Sequence, residues 1–335
     1  MLNRTTNIRD VAREAGVSTT TVSHVFSGRR PVAAATKDRV LAAAARLGYV
    51  PDTHARTLAT GRSSTIALDL ELALVGDGVL LNPYFSTVVS TLSEAAVSYG
   101  FTFRLLPAEA RIAAAIQSPG VSGAVAVDPT ADNQWIPHLV KEGIRVVTIG
   151  RYPGPLETSW VDNDHRGGLR EALDHLKSHG YRRIVLVTAR QRSSLMIDLE
   201  ETFRAELGRG GFRGKIVVAD DLTETTAYDL TKRLLSSPSK PDAIVGAIDR
   251  VAVGVLRAAD DLEITVPKDL GVVGLGDTML AERTQPHLTS IRSTPKELAE
   301  EAMALLWKAW LDPTLPDTEV LLPADLVIRG STMRS

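Results

Sequence analysis

Cysteine is absent from the 335 residues, which excludes disulfides, thiolate zinc sites and cysteine nucleophiles together. The seven histidines are scattered along the chain, and only His175 and His179 stand within four residues of each other. No stretch approaches the ~20 consecutive apolar residues of a membrane-spanning helix. The polar start Met1-Leu2-Asn3-Arg4-Thr5-Thr6-Asn7 lacks the apolar core of a signal peptide. A cytosolic chain with no membrane partner is therefore expected. No nucleophile elbow, metal constellation or phosphate loop can be found, so neither enzymatic activity nor a cofactor is expected. His175 and His179 have metal-ligand spacing on a helix, but with no third ligand nearby they read as a solvated face. Gly274-Leu275-Gly276 lacks the third glycine of a dinucleotide fingerprint and reads as a turn. Arg190 and Arg192 flank a strand end and read as surface charge in preference to an anion site.

What is present begins with length. At 335 residues and 44% hydrophobic content the chain is long enough for two or three units, because single cores stop growing near roughly 250 to 300 residues. The net charge of −2 hides an asymmetry: residues 1 to 62 carry ten lysines and arginines against four acids, a net +6, leaving −8 over the rest. A small basic module on an acidic body is the footprint of a nucleic-acid reader.

Local pattern agrees. Asn7 can cap a helix, with Asp10 in the capping-box position and Val11, Ala12 and Ala15 as an inner face, giving helix one from Ile8 to Ala15. Gly16-Val17-Ser18 forms a tight turn, and Ser18 caps a second helix from Thr19 to Phe26. Val22, Val25 and Phe26 share its inner face, leaving Thr19, Thr20, Ser23 and His24 outward, small and uncharged, as suits base edges in a major groove. Ser18 and Thr21 can bond phosphate near the positive helix end. A third helix from about Ala34 to Leu47 completes a helix-turn-helix headpiece, stopped by Gly48.

Asp10-Val11-Ala12, Ala15-Gly16-Val17-Ser18, Thr21-Val22-Ser23 and Gly48-Tyr49-Val50-Pro51 closely resemble the signature of the lactose-repressor (LacI/GalR) family of bacterial transcription regulators. The run from Val17 to Val25 resembles the recognition helix of the purine-repressor branch in particular. The resemblance implies that Thr19, Thr20, His24 and Arg30 read bases, that Ser18, Thr21 and Tyr49 touch phosphates, and that Arg56 belongs to the same DNA-binding set. Most relatives carry Arg where His24 stands, so a single-nitrogen contact to guanine is expected to replace a bidentate one. Ala33 stands where relatives cap helix three with Ser, a loss of about 1 kcal/mol.

Residues 52 to 63 form a short apolar-polar segment that cannot stand alone, because isolated helices under ~12 to 15 residues are marginal in water. Such a segment can act as a switch. The resemblance places Leu58 where paired hinge helices wedge a leucine into the minor groove.

Beyond residue 63, short apolar strands alternate with amphipathic stretches. Ile66 to Leu70, Thr102 to Leu106, Gly123 to Val127 and Val146 to Ile149 read as buried strands, with helices from Thr87 to Tyr99 and Trp135 to Glu142. A second set follows: strands Ile184 to Val187, Lys215 to Val218, Ala243 to Val245 and Gly271 to Val273, with helices Gly167 to His179, Leu199 to Gly208, Thr225 to Leu235 and Arg250 to Ala259. Two doubly wound α/β units result, with a ligand cleft expected between them. The body is similar to the two-lobed, periplasmic-binding-protein-like core of the same family, marked by Asn82-Pro83-Tyr84-Phe85, Gly180-Tyr181-Arg182-Arg183-Ile184 and Leu326-Val327-Ile328-Arg329-Gly330-Ser331-Thr332. The fold expected is an all-α three-helix headpiece over 1–51, a hinge over 52–63 and an α/β core over 64–335. Lobe one would span about 64–161 and 292–322, lobe two about 162–290 and 323–335.

The resemblance also implies effector residues, and several differ in kind. The family arginine falls on Leu199, an asparagine on Ile248, an acid on Gly276, a stacking aromatic on Leu222 and a further acid on Gly150. Asp162 and Asp249 persist, Tyr84 and Phe85 match cleft aromatics, and Arg151 adjoins Gly150. A less polar small-molecule effector, a protein corepressor or a lost response fits these changes better than a hexose. The expected protein is a homodimeric transcription regulator, a repressor reading a palindromic double-stranded DNA operator. No heptad segment follows the core, hence a dimer. A solute-uptake binding protein is the rival that the body alone would suggest.

Overall fold

The structure, a computed structural model, describes residues 6–27, 30, 32–47, 49, 65–70, 82–105 and 121–334. The segment 52–63, with Arg56 and Leu58, and the helix stop Gly48 lie outside the described residues.

Three helices form the headpiece: α1 (Ile8–Ala15), α2 (Thr19–Ser27) and α3 (Ala34–Leu47). The Asn7 side chain accepts from the amides of Arg9 and Asp10 while Asp10 accepts from the Asn7 amide, so the capping box is complete. Gly16 takes φ 64°, a left-handed turn that a side chain would strain. Val11, Ala12, Ala15, Val22, Val25, Phe26, Val40, Ala43 and Ala44 are buried between the helices. This core is narrow and made mostly of small residues, so the bulk of the apolar burial lies elsewhere.

The remaining chain builds two sheets of one design. Sheet one comprises β1 (Thr65–Leu70), β2 (Thr102–Leu105), β3 (Val121–Val127), β4 (Val146–Ile149), β5 (Ser159–Asn163) and β11 (Glu319–Leu322). It is ordered β2-β1-β3-β4-β5-β11 and is parallel throughout. Sheet two comprises β6 (Arg183–Ala189), β7 (Arg213–Ala219), β8 (Ala243–Gly246), β9 (Gly271–Gly276), β10 (Thr289–Arg292) and β12 (Leu326–Val327). Its order, β7-β6-β8-β9-β10-β12, repeats the first with one antiparallel edge pair, β10 with β12. Central strands are buried on both faces, and so read as continuous runs of Val, Ile, Leu and Ala.

Helices cover both sheets. α4 (Pro83–Ser98), α5 (Trp135–Lys141) and α11 (Pro295–Leu311) belong to the first, with α11 burying Leu298, Met303, Leu306, Trp307 and Trp310. Sheet two is covered by α6 (His165–Ser178), α7 (Ser194–Arg209), α8 (Glu224–Leu235), α9 (Asp249–Asp261) and the short α10 (Met279–Arg283). A three-helix headpiece and a two-lobed α/β core result, the architecture expected from the sequence.

The chain passes between lobes after β5, after β10 and after β11. Asn163 ties these passages together: its amide nitrogen donates to Thr294 Oγ1 at 2.9 Å and the Pro323 carbonyl at 3.0 Å, and its oxygen accepts from the Thr294 amide.

Four expectations need correction. α7 starts at Ser194 rather than Leu199, with Ser193, a residue type that favours the N-cap, preceding its first turn without a side-chain cap bond. α4 starts at Pro83 rather than Thr87, where Asn82 caps the Tyr84 amide and proline occupies the first turn. Gly274-Leu275-Gly276 is the end of β9 and not a turn; a Cβ on Gly274 would stand 2.3 Å from Asp249 Oδ1. His175 is buried, not solvated, and its Nε2 shares a 2.8 Å hydrogen bond with Thr332 near the chain's end. Arg190 and Arg192 are exposed and lie beside Asp220 and Glu200 at 3.2 and 3.9 Å.

Candidate functional site

Two places gather the side chains expected to be functional. The first is α2. Ser18 precedes it with its hydroxyl accepting from the Thr21 amide at 3.0 Å and sharing a 2.8 Å bond with the Thr21 hydroxyl, so the helix start is fixed by its own side chains. Val22 and Val25 anchor the inner face. Thr19, Thr20, Ser23 and Arg30 are exposed and His24 is half-buried, so the outward row expected from the sequence stands on one rigid face. Tyr49 lies at the edge of the same unit, its ring 5.8 Å from that of Phe26. A polar, uncharged helix face with a positive N-terminal end is able to enter a major groove and contact base edges and phosphates.

The second place is the cleft between lobes, about 760 Å³ including space open to solvent. It follows from topology: both sheets reverse strand order at their first strand, and parallel α/β sheets leave a crevice beyond the carboxyl ends of the strands there. Asn82, Tyr84 and Phe85 come from the start of α4, Asp128 from the end of β3 and His165 from the start of α6. Leu195 and Met196 open α7, Leu222 follows β7, Ile248 to Arg250 open α9, and Leu275 and Gly276 end β9. Thr278, Leu280 and Ser293 complete the wall.

The cleft's acids are held by the protein itself. Asp249 Oδ2 accepts from the Thr278 amide at 2.7 Å and hydroxyl at 2.8 Å, and Oδ1 accepts from Ser290 at 2.6 Å. Burial pushes its carboxyl above the ordinary value, and these bonds offset only part of the effect. Beside the cleft, Asp162 accepts from the Arg151 amide, Ser194, the Asn163 amide and His165 Nε2 at 2.8 to 3.1 Å. Burial alone would raise Asp162, but His165, the amide of Arg151 and Ser194 outweigh it and hold the carboxyl below its usual range. Burial likewise works against the His165 imidazolium, and Asp162 reverses the sign, leaving His165 raised. Tyr84 is pushed well above its usual phenol value by burial, then by Asp128 and Asp162.

Among the expected effector residues, Tyr84, Phe85, Leu222, Ile248, Asp249 and Gly276 converge on the cleft. Arg151, Asp162 and Leu199 do not line it. The Arg151 guanidinium instead donates to Asp198 at 2.7 Å, and Leu199 is buried in the lobe-two core one helical turn beyond Leu195 and Met196. Asp128, His165 and Met196 were missed. For His165 the signal was present as an acid and a histidine three residues apart at the end of β5.

Residues 7–52 match the family model of bacterial regulatory proteins, lacI family, and residues 173–332 match that of a periplasmic binding protein-like domain. Over 335 residues the chain is 30% identical to the ribose operon repressor of Escherichia coli (strain K12), spanning 97% of this chain and 99% of the repressor. The chain belongs to the lacI family. This lacI-family member is also 29% identical over 344 residues to the HTH-type transcriptional regulator MalR of Streptomyces coelicolor, spanning 98% and 97% of the two chains. Its structure resembles the transcriptional regulator CelR in complex with cellobiose, with a TM-score of 0.72 at 26% identity and coverage of 97% and 99%. It also resembles the lac repressor dimer bound to operator, at 0.69 and 25% identity, with coverage of 98% and 99%. The lacI-family protein is a DNA-binding transcriptional regulator, not an enzyme.

Proposed function

We propose that this regulator binds a palindromic operator as a homodimer and represses transcription, with α2 of each protomer in the major groove and an effector in the interlobe cleft setting operator affinity. The observation that carries the reading is the outward row Thr19, Thr20, Ser23 and His24 on a helix whose start Ser18 fixes. In this reading Thr19, Thr20, His24 and Arg30 contact bases, and Ser18, Thr21, Tyr49 and Arg56 contact the backbone. Leu58 wedges the central minor-groove step.

The division of labour is a headpiece over 1–51, a hinge over 52–63 and a sensing core over 64–335. Residues near 162, 291 and 323 carry the passages between lobes. Three passages tied by Asn163 allow the lobes to change their angle as bodies, and a hinge too short to fold alone responds to the spacing of its partner. Effector and operator affinities are then coupled reciprocally. The similar regulator CelR is held in complex with cellobiose, which supports a small-molecule effector in this cleft. The protein acts in the cytoplasm, at the nucleoid, where its operator lies.

Selection from random double-stranded DNA tests the reading. A palindrome with two half-sites is expected, and Leu58→Ala should abolish tight binding to it while leaving ligand binding in the core unchanged. Enrichment of an asymmetric single site, or unaltered operator affinity in Leu58→Ala, would refute the paired arrangement.

A further inference from the structure

The two lobes are joined by more than the three passages of the chain. The Arg151 guanidinium, just after β4 in lobe one, donates to Asp198 Oδ1 of lobe two at 2.7 Å. Asp162 Oδ2, on β5, accepts from the Ser194 hydroxyl at 2.9 Å. Between the backbones, Thr130 and Ser193 form an isolated antiparallel bridge, and the Ala131 amide donates to the Arg192 carbonyl at 3.3 Å. On the lobe-two side every one of these groups belongs to the first turn of α7 or to the residues leading into it, so the contacts form one seam.

The sequence prepares this approach at two points. Gly150 follows β4 at φ 88°, and a Cβ there would stand 3.3 Å from Ser194 Oγ and 3.0 Å from Asp128 Oδ1, so a larger residue would hold α7 away from lobe one. Both acids of the seam are also fixed within their own surroundings. Asp198 is buried and accepts from Arg166 Nε at 2.9 Å inside lobe two, and Asp162 accepts from the amides of Arg151 and Asn163. An acceptor already held in place loses little freedom when the opposite lobe reaches it.

We propose that this seam is a latch, in which Arg151 on Asp198, Ser194 on Asp162 and the bridge of Thr130 with Ser193 hold the lobes closed without a bond from any third molecule. A ligand shifts an equilibrium only by its differential affinity for the two arrangements. Where the chain's own side chains supply closure, the change left for a ligand to drive is toward opening. On the reading that the cleft takes the effector, the place for it is suitable, since Leu195 and Met196 line the cleft and directly follow Ser194.

A chain without cysteine makes the latch measurable. Ser193 is 1% exposed and its hydroxyl has no hydrogen-bond partner, so Ser193→Cys sets a single thiol in the seam without removing a bond. The rate at which iodoacetamide labels that thiol in the full chain, relative to the unfolded chain, reads how often the lobes part. Labelling should be slowed roughly fifty-fold or more, as two bonds to buried acids imply. Arg151→Ala should speed it about five-fold, less than a fully buried pair would give because the arginine side chain is partly exposed. Arg166 keeps Asp198 paired in that variant, so no buried charge is orphaned. Ser194→Ala leaves Asp162 its bonds from Arg151, Asn163 and His165 and should speed labelling about ten-fold. A thiol placed instead by Thr231→Cys, at a fully buried position of α8, should respond to neither substitution.

A seam thiol as reactive as in the unfolded chain overturns the proposal. So do labelling rates unchanged by both substitutions, or an equal acceleration at the α8 thiol, which would mean general loosening of lobe two. If the seam behaves as expected while Arg151→Ala and Ser194→Ala bind the selected operator as tightly as the native chain does, the latch stands and the reading that lobe angle sets operator affinity falls.

Discussion

The helix α2 and the interlobe cleft both carry polar side chains, yet they hold them in opposite ways. On α2, Thr19, Thr20 and Ser23 are exposed, and only the start of the helix, at Ser18 and Thr21, is bound to itself. In and beside the cleft, Asp249 and Asp162 are buried and bonded to their own lobe or across to the other. A surface that reads base edges must keep its donors and acceptors available, since specificity comes from pairing them with the partner. An acid that is already paired with its own lobe, as Asp249 is, gives shape and cohesion to the wall. Polar residues therefore mean different things in the two regions, and the hydrogen-bond partners decide which.

The sharpest way to break this contrast is Asp249→Ala. It leaves the Ser290 hydroxyl and the amide and hydroxyl of Thr278 without their acceptor, a loss of about 3 to 5 kcal/mol by analogy with breaking buried charged networks. Denaturant titration should show the core unfolding earlier while the headpiece transition stays put. An unchanged core midpoint would mean that Asp249 is not structural and is available to a ligand after all. On the other side of the contrast, Thr20→Ala should leave stability within about 0.5 kcal/mol, since alanine favours the helix and the site is exposed. Operator affinity should fall by about 1 to 3 kcal/mol, concentrated at one base pair of each half-site. A uniform loss across sequences, seen by anisotropy with single-base variants, would make Thr20 a phosphate contact instead.

A smaller effect separates His165 from its surroundings. Its folded pKa is raised above 6.5 and that of Asp162 is lowered below 3.8. The pair's contribution is then complete between those two ordinary values. It is lost as pH rises through the imidazole's raised value, and lost at the other end as pH falls through the carboxyl's lowered one. His175 runs the other way, since burial and His179 lower it, so its contribution is present above 6.5 and disappears on acidification. Comparing melting of the native chain with His165→Phe cancels His175. The difference should be larger at about pH 5.5 than at about pH 8.5, and a pH-independent difference would mean that the pair carries no charge of its own.

The headpiece was legible because its determinants are local. Asn7 with Asp10, the left-handed Gly16 and the spacing of Val11, Ala12 and Ala15 act within a few residues, and α1 and α3 have the bounds read from them. The central strands were legible for a similar reason, as apolar runs too short for helices. Strands β5, β10, β11 and β12 were not: β11 and β12 are four and two residues long, too short for an alternation to show, and they pair with β5 and β10 more than 30 residues away in sequence. The cleft was half legible. Topology brings Tyr84, Leu222, Ile248 and Asp249 together, and their positions could be read by resemblance, but what Asp249 bonds to depends on Thr278 and Ser290 reaching it from other elements. No spacing rule encodes such a partner. Leu199 shows the same limit: its place along α7 was set by resemblance, whereas its depth was set by the α7 start at Ser194.

The smallest effect lies within the headpiece and bears on how firmly α2 is held for reading. α1 has a complete capping box, whereas α3 begins after Ala33, whose carbonyl accepts from the amides of Thr36 and Lys37 but whose side chain offers no acceptor. The first-turn amides of α3 therefore lack the bond that α1 has. Ala33→Ser should return it and stabilise the headpiece by about 0.5 to 1 kcal/mol. Ala33 is exposed, and the substitution touches neither Val40 nor the outward face of α2, so base preference should not change. Amide exchange read by mass spectrometry on the whole chain should slow over residues 34–47 and stay unchanged over sheet two. If exchange over α3 is unaltered, the first turn is held by packing against α1 and not by its cap, and the headpiece is more firmly built than its narrow core suggests.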